Sequence, residues 1–204
     1  MINKKFIGIA GNIGVGKTTM TNELATQLDF KPVFESVIDN PYLEDFYESM
    51  SRWSFNLQIY FLYDRFYKQI ELIKSNTNFI QDRTMYEDKE IFAFNLYESG
   101  KMSERDWNTY SDLFSVMCGF IKSPDLIIYL KANTDTLMSR IKNRKRDFEK
   151  DISAEYIHSL NIYYDRWING LNQNKVLIID TNNFNIFKDE EMLKDIIVDI
   201  KNRL

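Results

Sequence analysis

The sequence predicts an α/β fold in which about five parallel strands are flanked by helices. Short apolar runs alternate with longer segments of helical period, which is typical of a parallel sheet with helical crossovers. A phosphate-binding pattern, GxxxxGK followed by Ser or Thr, comes directly after the first apolar run. Only three prolines and seven glycines occur in 204 residues, so long helices are allowed. We expect one domain over residues 1–204, because this length supports one sizeable core.

Five apolar runs are predicted to be strands, because buried parallel strands are nearly continuous in apolar residues. These runs are residues 6–10, 31–34, 78–81, 125–130 and 175–179. The segments between them have the period and the end signals of helices. Helices are therefore predicted at about residues 17–28, 51–74, 86–99, 103–119, 134–144, 153–171 and 189–204.

Composition and net charge limit the kinds of molecule that this protein is expected to bind. The net charge is −4 and the pI is near 5.2, which argues against a general surface for binding polyanions such as duplex nucleic acid. Cys118 is the only cysteine, which excludes an intrachain disulfide and fits a reducing compartment. No stretch approaches the roughly 18 apolar residues of a membrane span, and the apolar start is too short for a signal peptide. We expect a soluble, cytoplasmic protein without nucleic-acid or membrane partners.

The phosphate-binding pattern GNIGVGKT predicts a cradle for a nucleoside triphosphate. A strand that feeds a glycine-rich turn and then a helix aims backbone N–H groups at one point, where the helix dipole also favours negative charge. We expect Lys17 to reach the β- and γ-phosphates and the Thr18 hydroxyl to ligate Mg²⁺. The predicted phosphate-binding residues are Gly11, Asn12, Ile13, Gly14, Val15, Gly16, Lys17, Thr18 and Thr19.

Charged side chains follow three more of the predicted strands, where ligands of such sheets collect. Glu35 follows the second strand, Asp82 and Arg83 the third, and Asp180 the fifth. Glu35 can accept the proton of an attacking hydroxyl, and Arg83 can keep that carboxylate ionised and touch the acceptor oxygen. Asp82 can complete a Mg²⁺ site with Thr18. The alternatives are a helix N-cap or surface acid at Glu35 and a polar helix cap after the third strand.

The segment RWSFNLQIYFLYDRF, residues 52–66, is aromatic on a helical period, and most of it is expected to be core. Gln58 and Arg65 lie about two turns apart, so both project from one face. A glutamine amide can bind a base edge through one donor and one acceptor, while aromatic rings sandwich the base. The candidate walls are Trp53, Phe61 and Phe92. The alternative for Gln58 is a buried amide satisfied by the backbone.

A basic run, RIKNRKRDFEKD, interrupts this acidic sequence and carries Arg140, Arg144 and Arg146. Such runs are usually solvated helix faces. Beside a phosphate-binding loop, however, an arginine-rich lid can close over the γ-phosphate and neutralise charge in the transition state. Glu149, directly after the run, can then reach a sugar hydroxyl.

Together these segments resemble the deoxyribonucleoside kinase family of the deoxycytidine and deoxyguanosine kinase type, which includes bacterial deoxyadenosine kinases. The resemblance covers nearly the whole chain and rests on segments in the family's order: GNIGVGKTT, FES, NPYLEDFYES, RWSFNLQIYFLYDR, DRTMYEDKEIFAFNLYES and RIKNRKRDFE. It implies a P-loop nucleoside-kinase fold with a lid, and a nucleotide-salvage enzyme. It also implies transfer of phosphate from ATP, with Mg²⁺, to the 5′-hydroxyl of a deoxyribonucleoside, and a homodimer formed through helices beside the base pocket.

The resemblance also implies roles for individual residues, carried over by position. Catalysis falls to Glu35 as general base, with Arg83 beside it at the 5′-hydroxyl and Lys17 at the phosphates. The implied nucleoside-binding residues are Tyr47 and Glu149 at the 3′-hydroxyl, Gln58 at the base, Arg65 and Asp88 deeper in the base pocket, Phe92 stacking on the base, and Trp53 and Phe61 as walls. Arg140, Arg144 and Arg146 form the implied lid.

Base preference is expected to follow from the pair formed by Arg65 and Asp88, which looks like that of members taking purines and deoxycytidine. An acceptor at Asp88 suits an exocyclic amine better than a carbonyl. Deoxyadenosine is therefore expected to lead, with deoxyguanosine and deoxycytidine behind. Two departures from the family pattern, Ser36 in place of a frequent Pro and Asp-Arg-Thr in place of Glu-Arg-Ser, keep the chemical type and bear on geometry alone.

Two other functions share some of these features. A nucleoside monophosphate kinase, such as a thymidylate kinase, also has the phosphate loop, the Asp-Arg pair and an arginine lid. Its acceptor is an anion, however, and needs cations where this sequence offers Glu35, Tyr47 and Glu149. A nucleotide-binding switch or scaffold would act without a small-molecule acceptor. The Asn-Lys-x-Asp signature of GTPases is absent, since Asn174 and Lys175 continue into an apolar run.

Overall fold

The structure is a computed structural model that describes residues 4–35, 40–75 and 77–204. Within these ranges one sheet has five strands in the order β2-β3-β1-β4-β5, and every neighbouring pair is parallel. The strands are β1 (Phe6–Gly11), β2 (Lys31–Val33), β3 (Phe79–Asp82), β4 (Leu126–Lys131) and β5 (Val176–Asp180). The predicted α/β fold is confirmed, with strand ends one residue from the predicted positions. Ser36 lies outside the described residues.

The central strand β1 explains why the phosphate loop lies at the middle of the sheet. All six of its residues are buried, since it pairs with β3 on one side and β4 on the other. Its register sets Ile9 beside Asp82 of β3, and Gly11 beside Leu130 of β4. The carboxyl ends of neighbouring strands therefore meet the first residue of the loop.

The helices largely follow the predicted periods. They are α1 (Lys17–Leu28), α2 (Leu43–Glu48), α3 (Met50–Lys74), α4 (Met85–Glu87), α5 (Phe94–Glu98), α6 (Glu104–Cys118), α7 (Thr134–Arg144), α8 (Ala154–Asn169) and α9 (Glu190–Arg203). Ser103 and Ser153 are N-caps rather than helical residues, because each hydroxyl accepts a hydrogen bond from the backbone three residues on. The short α2 was not predicted, since six residues carry too little periodicity.

The helix predicted over residues 86–99 is not one continuous α-helix. It begins at α4, passes through a π-helical turn at Asp88–Ala93 and ends as α5. A π-turn has no periodic signature of its own over six residues, so hydrophobic spacing could not reveal it. Such turns are frequent at functional sites, and here the turn carries Asp88 and Phe92, two of the predicted nucleoside-binding residues.

Two large apolar clusters, with a third of only four residues, form the core of the described ranges. The larger one lies on both sides of the sheet and involves α1, α8 and α9, with Leu24, Leu160 and Ile200 fully buried. The smaller one lies among α3, α5 and α6, with Leu62 and Tyr110 at its centre. The helices of the smaller cluster stand opposite the phosphate loop. None of the helices in the described ranges is long and apolar enough to cross a membrane.

Candidate active site

A cavity of about 560 Å³ opens at the carboxyl ends of β1, β2 and β3. The phosphate loop forms one wall, α2, α3 and the π-turn form another, and the segment from α7 to residue 149 borders it. Most of the predicted site residues line it, namely Ile13, Gly14, Gly16, Lys17, Thr18, Thr19, Glu35, Tyr47, Gln58, Phe61, Asp82, Arg83, Asp88, Phe92, Arg140, Arg144, Arg146 and Glu149. Residues distant in sequence are thus brought to one cleft.

The remaining loop residues lie beneath the cavity and fix the shape of the loop. The Asn12 amide donates to the Ile157 carbonyl at 2.9 Å and to Asn161 Oδ1 at 2.7 Å, so it fastens the loop to α8. Val15 is buried in the larger apolar cluster. Gly11 has φ 149°, and a Cβ there would lie 2.7 Å from the Leu130 carbonyl oxygen. A side chain at Gly11 would therefore displace β4 from β1.

Gly16 shows the opposite environment. It caps α1 with φ 103°, and a Cβ added there would meet nothing within 4 Å. The backbone at this point faces open space at the start of a helix, which is where an anion binds to N–H groups. At Gly16 the loop therefore presents its backbone to the cavity.

Lys17 and Thr18 extend from the first turn of α1. Burial and the nearby Arg83 lower the pKa of Lys17 to about 8, against the opposing pull of Asp82 and Glu35. The Lys17 ammonium donates to the Asn12 carbonyl at 3.1 Å. The Thr18 hydroxyl donates to Asp82 Oδ2 at 2.6 Å. The hydrogen bond from Thr18 joins the first turn of α1 to the end of β3.

Glu35 lies between two arginines. Its Oε1 accepts hydrogen bonds from Arg65 at 2.6 Å and from Arg83 at 3.0 Å. Burial alone would raise the pKa of Glu35, but the guanidinium groups of Arg83 and Arg65 outweigh it and lower the pKa to about 2. The carboxylate is therefore ionised at neutral pH and available as an acceptor.

Arg83 has an unusual backbone and several partners. Its φ is 64°, a left-handed conformation that is costly for a residue with a side chain. Its guanidinium also donates to the Gly11 carbonyl at 3.3 Å and lies 4.3 Å from the centre of the Phe92 ring. The backbone turn after β3 thus aims Arg83 back across the end of β1 towards Glu35.

The inner end of the cavity combines one amide, one carboxylate and two aromatic rings. Gln58 is 2% exposed, and its Oε1 has no hydrogen-bond partner within the described ranges. Asp88 Oδ2 accepts from Arg65 Nε at 2.5 Å, while burial raises the pKa of Asp88 to about 6 against the effect of Arg65. Phe61 and Phe92 line the same space. A planar ligand with polar edges matches this surface.

Two predicted base-pocket residues lie away from the cavity surface. Arg65 is buried behind it, where it also donates to the backbone carbonyls of Asp82 and Arg83 at 3.2 Å. Trp53 does not line the cavity; its ring packs against Tyr42, and the Arg52 guanidinium lies 4.3 Å from its centre. The aromatic period of α3 could not separate the inner face from this outer one.

The outer part of the cavity pairs a carboxylate with the predicted lid. Glu149 is 5% exposed, and it accepts two hydrogen bonds of 2.5 Å from Arg144. Arg146 lies 3.5 Å from the same carboxylate. The Tyr47 ring stacks on Phe148 with centroids 6.3 Å apart. Two of the three predicted lid arginines, Arg144 and Arg146, therefore lie against the carboxylate that was predicted to bind the sugar.

Arg140 hydrogen-bonds to the phosphate loop and to Thr181, and Asp180 hydrogen-bonds within the turn that follows β5. Arg140 donates to the Val15 carbonyl at 3.3 Å and to the backbone and side chain of Thr181. The expectation that Asp180 faces the phosphates is wrong, because it does not line the cavity and its carboxylate accepts from the backbone and side chain of Asn182. Asp180 closes its own turn after β5.

Sequence reasoning missed several residues at the site. Glu87 is fully buried and binds the first residue of the phosphate loop, and Tyr164 of α8 binds both of them. Tyr156 and Phe148 line the cavity. The spacing of Thr84 and Glu87, a capping box at a helix start, was a signal for Glu87. Nothing in the sequence pattern distinguishes Tyr164 from the other aromatics of α8.

Comparison with known proteins identifies the family. Residues 7–204 match the family model described as deoxynucleoside kinase. The chain belongs to the deoxynucleoside kinase family. Its reaction is therefore the phosphorylation of a deoxynucleoside, and kinases of this family use ATP as phosphoryl donor, generally with Mg²⁺. The predicted resemblance is confirmed, and the family decides against a monophosphate kinase or a nucleotide-binding switch.

Individual relatives agree with this family. A deoxyadenosine/deoxycytidine kinase of Bacillus subtilis is 40% identical over 94% of this chain and 89% of its own length. A deoxyadenosine kinase of Dictyostelium discoideum is 41% identical over 94% of this chain and 77% of its own. Among solved structures, deoxyadenosine kinase from M. mycoides with bound dATP has a TM-score of 0.81 and 32% identity, over 94% of this chain and 98% of the other.

Proposed function

We propose that this deoxynucleoside kinase transfers the γ-phosphoryl group of ATP to the 5′-hydroxyl of a purine deoxynucleoside, with deoxyadenosine as the preferred acceptor. The observation that carries the proposal is the position of Glu35, an ionised carboxylate held by Arg83 in a cavity that the phosphate loop also lines. A neutral hydroxyl needs such a group to accept its proton. An acceptor that is already an anion would not.

Each charged residue then has a defined part in the transfer. The loop amides and the protonated Lys17 bind the phosphates, and Glu35 orients the 5′-hydroxyl and accepts its proton as the new P–O bond forms. Arg83 holds Glu35 and stabilises charge at the acceptor oxygen. Arg140, Arg144 and Arg146 line the outer part of the cavity, where they would neutralise the transferring group. Closure of this segment would exclude water from the reaction.

The residues present fit Mg²⁺, and the contacts of the Asp82 carboxylate support this. Its Oδ1 is buried without a hydrogen-bond partner in the described part of the chain, and its Oδ2 accepts from the Thr18 hydroxyl. Hard oxygen donors of this kind suit Mg²⁺, which usually takes few protein ligands and several phosphate or water oxygens. Thr18 and Asp82 would hold the ion, which when bound supplies neutralisation of the β- and γ-phosphate charge.

The preference for deoxyadenosine rests on the polar groups of the inner cavity. Gln58 Oε1 has no hydrogen-bond partner among the residues that the structure describes, and Asp88 is an acceptor. The pocket therefore favours a base that presents an exocyclic amine. Adenine and cytosine both carry one beside a ring nitrogen acceptor. The names of the relatives include both deoxyadenosine and deoxycytidine. We propose deoxycytidine and deoxyguanosine as weaker acceptors. For the sugar, we propose that Tyr47 and Glu149 bind the 3′-hydroxyl.

We further propose that the chain forms a homodimer through α3 and α6. These helices pack on each other, and their outer faces expose large apolar side chains: Tyr63 and Tyr67 on α3 (both 57%), Val116 on α6 (63%) and Phe120 just beyond it (67%). Where such exposed apolar side chains form a patch, they mark an interaction surface. Light scattering coupled to size exclusion should give twice the chain mass, and Val116→Lys with Phe120→Lys should halve it.

The direct test of function is product analysis. The purified protein is incubated with labelled ATP and Mg²⁺ against each of the four common deoxynucleosides and each matching monophosphate. Labelled 5′-monophosphates from the nucleosides, with deoxyadenosine fastest, are the expected result. Diphosphates formed from the monophosphates alone would overturn the proposal, and a faster rate with thymidine would overturn the base preference.

A further inference from the structure

Glu87 is a fully buried carboxylate at the start of α4 that binds both the phosphate loop and the turn of Arg83. It has no surface exposure, and it does not line the cavity. Its Oε2 accepts from the Thr84 backbone N–H at 2.9 Å, which is the contact of a capping box. Its Oε1 accepts from the Gly11 N–H at 3.2 Å. One carboxylate therefore joins the end of β1 to the residue that follows Arg83.

Two further contacts tie Glu87 to the reacting groups. Arg83 Nε lies 3.8 Å from Glu87 Oε1 and has no hydrogen-bond partner within the described ranges. The Tyr164 hydroxyl lies 2.8 Å from Glu87 Oε1 and 2.8 Å from the Gly11 carbonyl oxygen. The other edge of the Arg83 guanidinium contacts Glu35 and the same Gly11 carbonyl. Arg83 is thus held between Glu35 on one side and Glu87 on the other.

This arrangement exceeds the needs of a helix cap. A cap requires one oxygen near the Thr84 N–H, and Oε2 meets that need. The second oxygen instead accepts from the Gly11 N–H and lies on the side of Arg83 turned away from Glu35. Burial raises the pKa of Glu87, and the neighbouring Arg83 opposes that rise. Arg83 has a left-handed backbone conformation, which persists only where surrounding contacts hold it. The bond from the Thr84 N–H to Glu87 is one such contact, directly after Arg83.

We propose that Glu87 is a positioning residue for phosphoryl transfer, which orients Arg83 towards the acceptor oxygen and fixes the first residue of the phosphate loop. Tyr164 assists it by binding the Gly11 carbonyl. The inference rests on the proposed role of Arg83 at the acceptor hydroxyl. Loss of Glu87 lets Arg83 turn, so that a bound nucleoside and bound ATP no longer meet the guanidinium that their transition state requires.

The test compares Glu87→Gln, Tyr164→Phe and Thr84→Val with the wild type. Glutamine has the shape of glutamate, but it offers one acceptor oxygen to two backbone N–H groups, so one of them faces an NH₂ group. Tyr164→Phe removes the hydroxyl and keeps the ring that stacks on Tyr129. Thr84→Val removes the hydroxyl at the same helix start and leaves the contacts of Glu87 to Gly11 and Arg83. Thr84→Val is therefore the matched control for a helix cap whose loss lowers stability without affecting catalysis.

The readouts are kcat per ATP-binding site, KM for deoxyadenosine and the melting temperature. We expect Glu87→Gln to lower kcat at least roughly tenfold with KM within about threefold, and Tyr164→Phe to lower kcat several-fold. Thr84→Val should lower the melting temperature and keep kcat within about twofold. The double variant of Glu87 and Tyr164 should lose less than the product of the two single losses, because both act on one group.

Either of two results overturns the inference. One is a kcat of folded Glu87→Gln and Tyr164→Phe within about twofold of the wild type. The other is a loss that Thr84→Val reproduces at an equal fall in melting temperature. If Glu87→Gln does not fold, the decision passes to Tyr164→Phe against Thr84→Val. A wild type that phosphorylates no deoxynucleoside would overturn the proposed function and this inference together, whereas an active wild type with unaffected variants would overturn the inference alone.

Discussion

Arg144 donates two hydrogen bonds of 2.5 Å to Glu149, so a predicted phosphate-binding arginine is paired with a predicted sugar-binding carboxylate. The two residues lie five apart, at the end of α7 and in the short 3₁₀ turn that follows it. A ligand that hydrogen-bonds to Glu149 must share this carboxylate with Arg144. The proposed sugar-binding residue and the proposed lid are therefore linked through one ion pair.

The first prediction concerns this carboxylate. Glu149→Gln should raise KM for deoxyadenosine by roughly tenfold or more, because an amide is a weaker acceptor for the 3′-hydroxyl than a carboxylate. It should change KM for 2′,3′-dideoxyadenosine by less than about threefold, since that nucleoside has no 3′-hydroxyl. Steady-state kinetics with both nucleosides measure the difference. Glu155→Gln, on the exposed side of α8, is the control, and equal losses for the two nucleosides would contradict the assignment.

The second prediction concerns the general base. Glu35→Gln should lower kcat by roughly 10² to 10⁴ while the dissociation constant of deoxyadenosine changes little, because the amide can hold the hydroxyl but cannot accept its proton. Single-turnover rates and equilibrium binding separate the two effects. Glu48→Gln on the exposed end of α2 serves as the matched control. An unchanged single-turnover rate would remove Glu35 from the mechanism.

The third prediction concerns proton uptake by Lys17. Its pKa in the free protein is lowered to about 8 by burial and Arg83, and bound phosphates raise it again. Above pH 8 the free side chain is neutral and the bound one is protonated. ATP binding should therefore take up a proton, and affinity should fall by up to about tenfold per pH unit.

Calorimetry of ATP binding at pH 8.5 or above, in two buffers of different ionisation enthalpy, measures this uptake. The wild type should show uptake approaching one proton as pH rises, and Lys17→Met should show less. Equal heats in the two buffers for the wild type would mean that Lys17 keeps its proton in the free protein.

The fourth prediction separates affinity from stability at Gln58. Leucine at this position removes a buried acceptor that has no partner in the described part of the chain, so the free energy of unfolding should rise by about 1 kcal/mol. The same change should raise KM for deoxyadenosine at least roughly tenfold, because the base loses its polar contact. Urea unfolding measures the expected rise in the free energy of unfolding, and steady-state kinetics measure the expected rise in KM. A fall in stability would indicate that the amide is satisfied in the free protein.

The sheet and most of the cavity could be predicted because they depend on local patterns. Apolar runs located the strands, and the position of each run fixed where Glu35 and Arg83 emerge. What could not be predicted depends on packing between distant segments. The aromatic period of α3 marks Trp53 and Phe61 equally as candidate walls of the base pocket. Of these two, Phe61 lines the cavity and Trp53 does not. Tyr164 meets Glu87 across 77 positions in sequence, a contact that no local pattern records.

The strand order places two groups of proposed site residues on opposite sides of the central strand β1. β2 and β3 lie on one side of β1 and carry the groups proposed for the acceptor, while β4 lies on the other side and leads to α7 and its arginines. The central loop borders both halves, and Glu149, which is proposed to bind the sugar, joins them through its ion pair with Arg144. Substitutions in α3 or the π-turn can therefore change which nucleoside is accepted without rebuilding the phosphate cradle. Evolution, or an engineer, can therefore retune base selectivity on segments that do not form the phosphate cradle.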